Sequence, residues 1–171
     1  MKPIGMGLLV GFLEVRPSNS LSPNGRFFCK INQRDEWKEV SRLIKYECLH
    51  HVSLNVTNLE KAKEFYEKTL CLKEIPRPDF DFPGAWYDIE GQQLHLIADP
   101  SSQTLRKDKH LSSREGHFAL RVENYHDTLR WLKEKDVETL EKPHSKSGFA
   151  QIFCADPDGN LIELNVDQKE L

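Results

Sequence analysis

The chain has 171 residues, 38% of them hydrophobic and 30% charged, with a formal net charge of −3. That length suits one ordinary domain or two very small ones, and the composition excludes a membrane-embedded or wholly disordered chain. No block of like charges stands out, so neither a nucleic-acid-binding surface nor a polybasic membrane surface is indicated.

Residues 1–15, MKPIGMGLLVGFLEV, carry one lysine and then a short apolar run. A secretory leader resembles this but needs a small-residue cleavage site, which does not follow. The run is too short to cross a bilayer, and Glu14 and Arg16 close it. Residues 17–33 are rich in Pro, Ser and Asn, show neither helical nor strand period, and read as loop or disorder. Lys38-Glu39-Val40 admits the codons AAG-GAG-GTN, a bacterial ribosome-binding sequence, and Leu43 is placed to be a TTG start. Residues 1–45 are therefore expected to be an N-terminal extension, disordered or, over residues 1–42, upstream sequence translated from a misplaced start. The alternative is a genuine short helix with Trp37, Val40 and Ile44 on one face. Cys29, Cys48, Cys71 and Cys154 form no C-x-x-C pair. Isolated cysteines in a chain of this size fit a reducing, cytoplasmic setting.

Regular patterning begins near residue 49 and defines a domain over residues 46–168. LHHVSLNV alternates, with Val52, Leu54 and Val56 apolar and His51, Ser53 and Asn55 polar, which is strand period. A helix follows over 57–70, with Asn58 as N-cap and Leu59, Ala62, Phe65, Tyr66 and Leu70 along one stripe. Strand-like runs come next around 72–76, 84–89 and 92–98, broken by prolines and glycines. After a polar linker over 99–114 the order recurs: a strand over 116–124, a helix near 125–135, and strands near 137–141, 149–154 and 160–166. His51 and His117 each open H-x-x-L-x-V, and at the same offset Asn58 matches Asn124 and Phe65 matches Trp131. Such self-similarity predicts an α+β fold of two βαβββ modules, one about 47–98 and the other about 115–167.

The fourth strands of the two halves are QQLHLIA and NLIELNV. His95 sits between Leu94 and Leu96 as Glu163 sits between Ile162 and Leu164. Alternation puts His51, His95, His117 and Glu163 on the strand face opposite the aliphatic one, which packs under the helices. Taken singly, a strand histidine is more often a packed or rim residue, and a strand glutamate is more often solvated. Four at repeat-related positions suit one divalent cation: Fe, Mn, Co, Ni or Zn. His50 has the parity of Val52 and is expected to face the helices.

HHVSLNVTNLEKAKEFYEKTL, LHLI, GHFALRV and DPDGNLIEL resemble the vicinal oxygen chelate superfamily, the group of glyoxalase I, bleomycin-resistance proteins and extradiol dioxygenases. The resemblance covers roughly residues 47–167. It implies strands wrapped in a curved mixed sheet around a metal or ligand cavity. It also implies ligands from the first and fourth strands of each module, which fall on His51, His95, His117 and Glu163. Glyoxalase I usually has glutamate where this chain has His95, leaving Glu163 as the sole carboxylate base. RPDFDFPGAWYDIEGQQLHLI is similar to small glyoxalase-like proteins of plants and bacteria with histidine at that site.

The expected function is that of a metal-dependent, glyoxalase-like lyase or isomerase. Its cation would act as a Lewis acid on a small molecule chelating through two neighbouring oxygens. Glu163 would move the proton. Arg121, Trp86 and Arg77 are the substrate-binding candidates, with a rim ion pair, plain packing and a surface turn as their respective structural alternatives. Two other readings are an extradiol-type ring-cleaving dioxygenase and a non-catalytic binding or resistance protein. Relatives of this kind commonly pair, so a homodimer is expected.

Overall fold

The computed structural model describes residues 28–30, 37–39 and 46–171. The chain divides into two units, Met1–Glu47 and Cys48–Leu171. In the first, strands β1 (Phe28–Lys30) and β2 (Trp37–Glu39) pair antiparallel. Two pieces of the sequence reading change here. Residues 28–30 are strand rather than loop, and Trp37 opens a strand rather than a helix. Three-residue strands are too short to show a period. The other expectations for residues 1–45 lie outside the described residues.

The second unit contains the repeat. Strand β3 (His51–Val56) leads into helix α1 (Leu59–Glu64), a π-helical turn (Phe65–Thr69) and strands β4 (Lys73–Ile75), β5 (Gly84–Ile89) and β6 (Gln92–Ala98). Strand β7 (His117–Arg121) leads into helix α2 (Tyr125–Glu134) and strands β8 (Leu140–Lys142), β9 (Phe149–Ala155) and β10 (Leu161–Asp167). Each half makes a four-stranded mixed sheet, ordered β3-β6-β5-β4 and β7-β10-β9-β8. The first strand of each half pairs parallel with the fourth, and the other pairs are antiparallel.

Local chemistry explains these elements. Asn58 and Asn124 cap the two helices through their side chains, accepting from the Lys61 and Asp127 amides at 3.0 and 2.9 Å. The π-turn is closed by the Leu70 amide on the Phe65 carbonyl at 3.0 Å, and the chain leaves it through Cys71, at φ 56°. β5 and β6 are joined at Glu90-Gly91, both at positive φ, the backbone of a two-residue hairpin.

The aliphatic faces meet the helices as alternation predicts. Leu94, Leu96, Ile152 and Ile162 are all but fully buried, each worth roughly 1.5–3 kcal/mol of transfer free energy. The sheet faces opposite carry the repeat in register. Trp86 lies across from His95 and Gly84 from Ile97, as Phe153 lies across from Glu163 and Gln151 from Asn165.

Candidate functional site

Glu163 lies on β10 between β7 and β9 and is 5% exposed. Both its oxygens are held. Gln151 Nε2 donates to Oε2 at 2.8 Å, and Asn165 Nδ2 donates to Oε1 at 2.6 Å. His117 Nε2 stands 3.2 Å from Oε2. The other nitrogen of that ring, Nδ1, is 2.8 Å from the Glu115 carbonyl oxygen. A carbonyl only accepts, so Nδ1 carries the proton. The second nitrogen, Nε2, then faces a carboxylate oxygen. Two electron-rich atoms that close require a proton or a cation with them. A ring anchored by Nδ1–H on a carbonyl, with Nε2 free, is the usual state of a metal-ligating histidine.

The first sheet builds its pair differently. His95, 8% exposed, lies in a stack between Trp86 and His51. The Trp86 ring is 4.0 Å away and 6° from parallel, and the His51 ring is 4.4 Å away and 14° from parallel. His95 Nε2 donates to Gln93 Oε1 at 2.9 Å, leaving Nδ1 free. Burial, and then the neighbouring His51 and His50 imidazoles, lower the His95 pKa. A neutral imidazole is the form that ligates a metal.

His50 differs from the sequence reading. It precedes β3, so strand alternation does not govern it, and it is exposed rather than turned toward the helices. Its Nδ1 lies 2.9 Å from the Nδ1 of His51, and the two rings meet edge to face.

The four predicted ligands thus stand as two pairs, His51 with His95 and His117 with Glu163. Among the described residues, no three His, Cys, Asp or Glu side chains converge on one point. By donor chemistry each pair fits a divalent cation of the first transition row. A cavity of about 610 Å³ opens between the edge strands β3 and β7. His51 and His117 line it with Leu54, Leu120, Gln93 and Arg106, but His95 and Glu163 do not.

Nor do Trp86, Arg77 or Arg121 line that cavity. Trp86 packs on His95. The Arg77 guanidinium sits over the Phe80 and Phe82 rings, 4.9 and 5.3 Å from their centres, and donates to the Phe82 carbonyl at 3.0 Å. Arg121 lies 4.8 Å over the Phe149 ring.

Sequence reasoning missed Gln93, Gln151 and Asn165. Gln93 and Asn165 share strand parity with His95 and Glu163, two positions away, and alternation alone could have found them. Gln151 is a cross-strand neighbour, visible only once β9 and β10 are in register.

Residues 48–164 match the family described as the Glyoxalase/Bleomycin resistance protein/Dioxygenase superfamily. The chain belongs to this superfamily. It is similar to Glyoxylase I 4 of Arabidopsis thaliana, 29% identical over 119 residues and covering 68% of each chain. It is also similar to a lactoylglutathione lyase of Neisseria meningitidis, 31% identical over 123 residues, covering 68% of this chain and 88% of that one. Among solved structures, a glyoxalase family protein from Bacillus anthracis superposes with a TM-score of 0.62 at 21% identity, covering 74% of this chain and 99% of that one. At that identity the likeness shows the fold. No described helix is long and apolar enough to cross a membrane.

Proposed function

We propose that this superfamily member is a divalent-cation-dependent enzyme of the glyoxalase type. Its substrate class is a small molecule that offers two neighbouring oxygens, and the reaction is of the isomerase or lyase kind. The observation that carries this reading is the His117–Glu163 pair, a ring with Nδ1 committed to a carbonyl and Nε2 set 3.2 Å from a buried carboxylate.

His51, His95, His117 and Glu163 would hold the cation, which when bound supplies Lewis-acid polarisation of the substrate oxygens. Because one chain keeps these residues as two pairs, the reading includes a homodimer. In it, the His51–His95 half of one copy faces the His117–Glu163 half of the other. Glu163 is the proton carrier. A carboxylate has about four acceptor positions, and Gln151 and Asn165 take two of them. One remains toward the cation and one toward a proton on the carbon beside the polarised oxygen. Trp86 forms an aromatic wall beside His95, and Arg77 and Arg121 are the cations available to an anionic group of the substrate.

The test is a turnover screen of cation-reconstituted protein against dicarbonyls, their thiol adducts and catechols. The thiol-adduct arm includes lactoylglutathione formation from methylglyoxal and glutathione. Turnover of a dicarbonyl or its thiol adduct, abolished in Glu163→Gln, supports the reading. Oxygen consumption with a catechol would instead indicate a dioxygenase. Binding without turnover of any member would indicate a binding protein.

A further inference from the structure

The two halves share a register but not a chemistry. In the second half, Gln151 and Asn165 face each other across β9 and β10 and bracket Glu163. The corresponding residues of the first half are Gly84 and Ile97, which face each other across β5 and β6. Neither of these side chains has a hydrogen-bond donor. Nor is there room for one at position 84, where a Cβ would collide with the Leu96 carbonyl oxygen. The residue they bracket differs in step. It is His95, held by ring stacking and Gln93, where the second half has Glu163. The paired amides therefore accompany the carboxylate and are missing where the imidazole stands.

Gln151 and Asn165 are themselves nearly sealed from solvent, at 9% and 7% exposure. Each gives an N–H to a different oxygen of the same carboxylate. Held at both oxygens, Glu163 has one orientation, and the entropy of fixing it has already been spent in folding. Amides also differ from lysine or arginine in this position. They satisfy lone pairs but bring no positive charge, so the full anionic charge stays available to a cation.

We propose that Gln151 and Asn165 are positioning residues for Glu163. They fix the plane of its carboxylate beside His117 Nε2 and set both its affinity for the cation and the geometry it imposes. This inference rests on the reading of the chain as a cation-dependent enzyme. A role limited to satisfying a buried carboxylate would affect folding alone. A positioning role affects the bound cation in protein that is fully folded.

The experiment titrates Co²⁺ into the metal-free full chain and follows the visible absorption of the ion. The variants are Gln151→Met and Asn165→Leu, which delete the donors, and Gln151→Asn and Asn165→Gln, which keep an amide but change its reach by one methylene. Circular dichroism establishes which variants fold. In folded variants, deletion is expected to weaken Co²⁺ binding by about 10–100-fold and to change the absorption band, with smaller changes for the amide swaps. Folded variants at both positions with wild-type affinity and wild-type absorption would overturn the inference while leaving the cation reading intact. A wild type that takes up no Co²⁺ would overturn both, a different result from unchanged variants.

Discussion

Trp86 lies flat against His95, with ring centres 4.0 Å apart and planes 6° from parallel. With His51 on the other side of His95 and Gln93 holding its Nε2, the ring has little freedom to turn. Stacking of this kind is worth about 0.5–1.5 kcal/mol beyond burial. Trp86→Ala is expected to weaken cation binding by about tenfold, as loss of a supporting partner does. Trp86→Phe, which keeps a flat ring, should stay near wild type. Calorimetric titration of the two variants checks this, and wild-type affinity in Trp86→Ala would contradict it.

The end of β3 and the π-helical turn are both locked to the turn before β10. The Tyr66 hydroxyl donates to Asp156 Oδ2 at 2.9 Å, and the Asp158 and Asn160 amides donate to Oδ1 at 2.9 and 2.8 Å. Asp158 in turn accepts from the Thr57 hydroxyl and amide at 2.6 and 3.0 Å. Tyr66 is fully buried and Asp156 is 4% exposed. Asp156→Ala would leave the buried Tyr66 hydroxyl and the part-buried Asp158 and Asn160 amides without their acceptor, at about 1–3 kcal/mol for a fully buried donor. Chemical denaturation should show a loss of about 3 kcal/mol or more.

Asp156 also carries a pH signature. Burial raises its pKa above 3.8, against the hydrogen bonds from Asn160, Tyr66 and Asp158 that pull the other way. The fold therefore favours the protonated acid more than the unfolded chain does. The stability this contributes is fully present below 3.8 and is lost as pH rises through the raised folded value. Asp156→Asn cannot ionise and lacks this dependence. The stability difference, wild type minus Asp156→Asn, should shrink as pH rises through that window. A difference that grows would contradict the assignment.

Cys154 is buried on the helix-facing side of β9, and burial, then the charge of Asp156, push its thiol up to about 12. Cys48 and Cys71 are exposed. Thiolate is the reactive form, so at about pH 8 iodoacetamide should label Cys48 and Cys71 of the folded protein and leave Cys154 intact. Peptide mapping after alkylation reads this directly. Rapid labelling of Cys154 without unfolding would contradict the packing of β9 on α2.

The sequence makes most of the fold legible because both periods run cleanly through the repeat. Val52, Leu94 and Ile162 mark one face of their strands, and His51, His95 and Glu163 mark the other. The π-helical turn after α1 is not legible, since Phe65–Thr69 carries no residue type that demands it. For the site, alternation selects the face of each candidate but cannot measure convergence. It names His51, His95, His117 and Glu163 without saying that one chain holds them as two pairs. Gln151 is hidden for a related reason: its partner Asn165 lies on another strand, and register is a property of the folded sheet.

One mixing experiment tests directly whether these four residues share one cation. His51→Ala/His95→Ala lacks the first pair and His117→Ala/Glu163→Ala lacks the second. Wild type, each double variant, and the two variants unfolded and refolded together are assayed for bound Ni²⁺ after dialysis. A shared cation means a bound ion in wild type, little in either variant alone, and roughly a quarter of the wild-type capacity after mixing, because about half of the dimers re-pair as mixed dimers and each of those restores one of its two sites. Full retention of the cation by either variant alone, or no cation in wild type, would contradict it.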